Sequence, residues 1–143
     1  NGWKVIVISE RRPDLDFPFE YRRWSYGRFP QDVVSGDIGI FPRAVDNDYD
    51  RGHSFFKIGV FLAEHVPVVA SSVPSYGAVA TSSNSVLLGG IDPDEWESAI
   101  GRMGGGGFIP DFSVNPVDGY GVGAIAGKYA SIFHRLLGES GGA

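Results

Sequence analysis

Asp37-Ile-Gly-Ile-Phe41 and Pro67-Val-Val-Ala-Ser71 flank the stretch Ser54-Phe-Phe-Lys-Ile-Gly-Val-Phe-Leu-Ala-Glu64, and these three segments decide the fold. The outer two are short, apolar runs bounded by prolines, the pattern of strands buried on both faces. In the middle segment Phe55, Ile58, Phe61 and Leu62 recur at helical spacing, with Ser54 as a candidate N-cap. A buried strand, a crossover helix and a second buried strand form a parallel unit.

Working outward, the same alternation continues. Trp3-Lys-Val-Ile-Val-Ile-Ser9 reads as a buried strand and Phe19 to Trp24 as a second one. Pro30 to Val34 is a short helix, with proline suited to its first turn. Asn84 to Gly89 is a further strand, and Asp92 caps a helix over Pro93–Met103 with Trp96 and Ile100 on one face. Gly104–Gly107 reads as a break or flexible linker that opens a weakly ordered glycine-rich segment near 104–118. Tyr120–Leu137 is a last helical stretch, stopped by Gly138, and Gly141–Ala143 is a frayed tail. The expected fold class is α/β, a single Rossmann-like domain with helices on both faces of a parallel sheet. Ligands of such sheets lie beyond the carboxyl ends of the strands. That directs attention to 42–54, after one strand, and 72–77, after the next.

Composition narrows the function classes. The net charge of −5 argues against nucleic acid as a partner. There is no cysteine, which removes disulfides, thiolate metal ligands and a cysteine nucleophile. The longest apolar run, near Ile58–Ser72, is broken by Glu64, His65 and Pro67, so no transmembrane segment is expected. Nothing at the N-terminus reads as a signal peptide, and a cytoplasmic location is expected.

The loop Asp50-Arg-Gly-His-Ser-Phe-Phe-Lys57 opens the central helix. A helix N-terminus offers unpaired N–H groups and partial positive charge. Arg51 and His53 precede that terminus, Lys57 falls in its first turn, and Gly52 permits close backbone approach. Together they suit a phosphate or diphosphate; a solvated loop before an ordinary capped helix is the competing reading. Ser71-Ser-Val-Pro-Ser-Tyr-Gly77 offers further N–H groups from the neighbouring strand end, or is a plain connection. Asp46, Asp48 and Asp50 lack the glycine and distant glutamate of a calcium loop, and no metal site is expected. His53, His65 and His134 are too scattered for a zinc set. Gly121-Val-Gly-Ala-Ile-Ala126 fits a dinucleotide fingerprint, but no strand precedes it and too little chain follows.

In their order, Gly36-Asp-Ile-Gly-Ile-Phe-Pro42, Asp50 to Lys57 and Ala63-Glu-His-Val-Pro-Val-Val-Ala-Ser71 resemble the C-terminal domain of family 4-like glycosyltransferases of the GT-B fold. Asp92 to Met103, with Glu95-Trp96, resembles the helix that follows in that family, and the resemblance spans roughly Trp24–Met103. It implies a domain that binds a nucleotide-sugar donor, a nucleoside-diphosphate sugar used as substrate without a cofactor. It assigns Arg51 and Lys57 to the donor diphosphate as catalytic cations, with Ser54 capping the helix aimed at it. Gly52 and His53 on the same loop, and Ser72, Ser75, Tyr76 and Gly77 beside the sugar or phosphates, complete the donor-binding set. It also implies an N-terminal acceptor-binding domain that this chain lacks, and through that domain a peripheral membrane location. The chain would then be half of an enzyme, inactive in transfer alone. Gly52 and Val60 stand where many members carry a pair of glutamates, His53 where a lysine is usual, and His65 where a glycine is usual. The alternative is a degenerate, non-catalytic binding module. A phospho-acceptor domain fits poorly, because Asp37 opens its strand rather than closing it.

Overall fold

The computed structural model describes residues 2–138, so the tail Gly141–Ala143 lies outside the described residues. In chain order the elements are β1 (Ile6–Ser9), β2 (Glu20–Arg23), α1 (Phe29–Val33), β3 (Gly39–Phe41), α2 (Asp48–Arg51), α3 (Phe56–Ala63), β4 (Val68–Ser71), β5 (Ser85–Leu88), α4 (Pro93–Gly104) and α5 (Val122–Leu136). Turns of 3-10 helix at Pro74–Ala78 and Asp118–Tyr120 precede β5 and α5. Every strand pairing is parallel. The α/β, Rossmann-like expectation holds: parallel strands flanked by helices in one small domain.

The β3-β4-β5 ladder is the centre of the molecule, with Gly39 opposite Val68 and Val68 opposite Ser85. β4 is buried at all four positions. Its side chains alternate between two helical layers, as strand geometry requires. Val68 and Ala70 pack with Ile58 and Leu62 of α3, while Val69 packs with Trp96, Ala99 and Met103 of α4. Ile58 and Leu62 are fully buried, and each contributes about 1.5–3 kcal/mol by leaving water. At Gly39 an added Cβ would run into the Phe61 and Phe41 rings, so this glycine lets the α3 aromatics close over β3.

The single expected sheet is divided among the described residues into this ladder and a separate β1-β2 pair. β1 is also shorter than the expected Trp3–Ser9 strand and only half-buried. One layer covers it: Ile8 packs against the small cluster of Phe29, Val33 and Val66.

One expectation about glycine changes. Gly104–Gly107 is the end of a helix rather than a loose linker: α4 runs through Gly104, Gly105 N–H donates to Gly101 O at 2.8 Å, and Gly106 takes φ +79°. A side chain at Gly105 would lie 2.8 Å from that same carbonyl. In the segment near 104–118, Phe112 and Val117 pack on the α3 core cluster, Asp111 N–H donates to Ser83 O at 2.8 Å, and Phe112 stacks on His65.

Candidate functional site

The site expected at the strand ends comprises the loop after β3, the start of α3 and the turn after β4. Ser71 fastens the first of these to the sheet. Its fully buried hydroxyl accepts from Arg43 N–H at 2.8 Å and donates to Arg43 O at 2.8 Å. The Arg43 guanidinium then reaches Asp50 Oδ1 at 2.6 Å, and Asn47 Nδ2 reaches Asp50 Oδ2 at 2.6 Å. Asn47 Oδ1 accepts the Asp50 N–H at 2.9 Å and caps α2. These bonds hold the Asp50 carboxyl below its ordinary pKa, the Arg43 bond contributing most and the Asn47 bond next. The loop after β3 thus contains one helical turn, stabilised by an Arg43–Asp50 pair that no local sequence pattern announced.

Ser54 does not cap α3. The N-cap is Phe55, and no side chain accepts the first-turn amides. The N-terminal N–H groups are therefore left without a side-chain partner, as an anion site requires. Lys57 is exposed in that first turn. Arg51 ends α2, exposed, with Nη1 4.0 Å from Asp48 Oδ1. His53 lies between them, half-buried, with its ring 5.6 Å from that of Tyr49. The two strand-end loops do meet: Ser75 Oγ donates to His53 O.

Other expected donors are committed elsewhere. Gly52 N–H donates to Asp48 O at 2.9 Å as the C-cap of α2, and a Cβ there would meet that carbonyl at 3.2 Å. Ser72 N–H extends the β4-β5 ladder to Leu88 O at 2.7 Å, although its side chain is exposed. Tyr76 is a core residue, packed with Ile58, Leu62 and Val73. Gly77 is exposed with open space at its Cβ. Val60 packs toward Phe29, Val33 and Val66. Among the described residues no group of three or more His, Asp or Glu side chains is gathered as a metal site.

At the far end of α3, His65 occupies the left-handed region with φ +61°. His65 N–H donates to Leu62 O at 3.2 Å and Val66 N–H to Phe61 O at 2.9 Å. This is the Schellman stop, whose left-handed position normally takes glycine.

A cavity of about 500 Å³ lies away from these loops, along β5 and the end of α4. No helix among the described residues is long and apolar enough to cross a membrane. No protein-family model matches the chain, and no curated protein or solved structure matches it either.

Proposed function

We propose that this chain is the donor-binding half of a glycosyltransferase, holding a nucleoside-diphosphate sugar at the start of α3. The observation that carries this reading is the open N-terminus of α3, beyond the carboxyl end of β3, beside the cationic loop Arg51–His53. A leaving diphosphate gains negative charge in the transition state, and fixed cations with helix amides stabilise that charge without a protein nucleophile. In this reading Lys57 and Arg51 meet the diphosphate, while the Ser75–His53 bond fixes the loop that carries Arg51.

Two further observations support it. His65 stands at the position where the resembling family carries glycine, and its backbone has the conformation glycine favours. The helix α5 has no buried residue and exposes Val122, Tyr129, Ile132, Phe133 and Leu136. An uncovered apolar face of this kind marks a docking surface, here for the acceptor-binding domain.

Specific observations also favour the second reading, a degenerate binding module. The Gly52 amide and the Ser75 hydroxyl are spent internally, and Tyr76 is in the core. Calorimetric titration with UDP- and GDP-sugars separates the two. Donor binding that weakens by about 1.5–3 kcal/mol in Lys57→Ala and in Arg51→Ala supports the first. Absence of binding by the folded chain supports the second.

A further inference from the structure

The cavity along β5 is lined by Ala80, Thr81, Ser82, Val86, Arg102 and Phe108, among others. β5 is the edge strand of its ladder, so this wall has no neighbouring strand among the described residues. The opposite wall is the last turn of α4 and the glycine-rich stop after it. The stop brings backbone close to the Arg102 side chain: a Cβ at Gly107 would lie 3.1 Å from Arg102 Cγ. The glycine run therefore shapes the rim of the cavity as well as ending the helix.

The chemistry of the lining is mixed in a particular way. Val86 and Phe108, which both pack on the α4 cluster, supply an apolar wall. Arg102 is a permanent cation, and no carboxylate of the described residues pairs with it. A cation in the last turn suits the α4 dipole, and Arg102 is exposed there, with no side chain of the described residues on its guanidinium. Thr81 and Ser85 hydroxyls are bonded to Ser83 and Asn84, whereas the exposed Ser82 hydroxyl makes no bond among the described residues. The hollow has a volume of about 500 Å³ and lies broadly open to solvent.

We propose that this cavity is a second ligand site, for an oxyanion carried on a short apolar body. Arg102 and Ser82 take the carboxylate or phosphate oxygens, and Val86 and Phe108 take the apolar part. The site stands apart from the donor loops and does not depend on the glycosyltransferase reading.

The test is an amide-resolved NMR titration with benzoate, phenyl phosphate, inorganic phosphate and benzyl alcohol. Both aromatic anions are expected to give saturable shifts at residues 80–87 and 102–108, and inorganic phosphate to bind more weakly. Arg102→Gln should weaken the aromatic anions about tenfold or more while leaving benzyl alcohol unchanged. The stronger of benzoate and phenyl phosphate identifies the headgroup. Absence of saturable shifts here, equal affinity for inorganic phosphate, or an unchanged affinity in folded Arg102→Gln would each overturn the proposal. Shifts confined to 51–57 would report the donor site and count against this one.

Discussion

β4 and α5 are both rich in apolar side chains, yet every residue of β4 is buried and none of α5 is. The difference lies in what surrounds them. β4 has a strand on each side, α3 above and α4 below. α5 follows a 3-10 turn held by Phe55 against Tyr120 and by Lys128 over the same ring, and beyond that turn its apolar face has no cover among the described residues. Apolar character is necessary for a core but does not create one; a partner surface must arrive from elsewhere in the fold.

The largest expected effect tests that contrast directly. Leu62→Ala should cost about 2–5 kcal/mol in urea unfolding, as a fully buried leucine that leaves a cavity. Leu136→Ala, at 76% exposure, should change stability by no more than about 0.5 kcal/mol. A large cost at Leu136 would mean that α5 is covered in solution. Helix starts sharpen the same comparison at smaller scale. Asp92 Oδ1 accepts the Asp94 N–H at 2.9 Å, and Asp92→Ala should cost about 1 kcal/mol. α5 starts at Gly121 with no side-chain cap, and Gly121→Asp should stabilise by only a few tenths of a kcal/mol.

The smallest effect is read in pH. Asp50 is held below its ordinary value of 3.8, chiefly by Arg43. A depressed carboxyl pKa stabilises the fold above the unfolded value and loses that contribution as pH falls through the lower, folded value. The stability gap between the wild type and Asp50→Asn should therefore be present near neutral pH and close below about pH 4. A gap that persists unchanged into acid would show that the Arg43–Asp50 pair does not hold the loop.

Much of the framework was legible because its signals are local. The run Val68–Ser71, the spacing of Phe55, Ile58, Phe61 and Leu62, and Asp92 before Pro93 each carry their own evidence. Within the candidate site the positions of Arg51 and Lys57 were legible in the same way, from sequence adjacency to a helix start. What escaped depended on distant partners. The Arg43–Ser71 clasp spans 28 positions in sequence. Tyr76 reads as a polar loop residue until the core closes around it, and Ser54 reads as a cap until the helix begins two residues later, at Phe56.

Sequence by itself determined the alternation of parallel strands and helices, since hydrophobic period and capping chemistry act over a few residues. Tertiary structure alone decided which polar groups remain open to a ligand and which are consumed internally, because a hydrogen bond's availability depends on what the folded chain brings beside it. It likewise decided that α5, with the makings of a core helix, stands with its apolar face uncovered among the described residues.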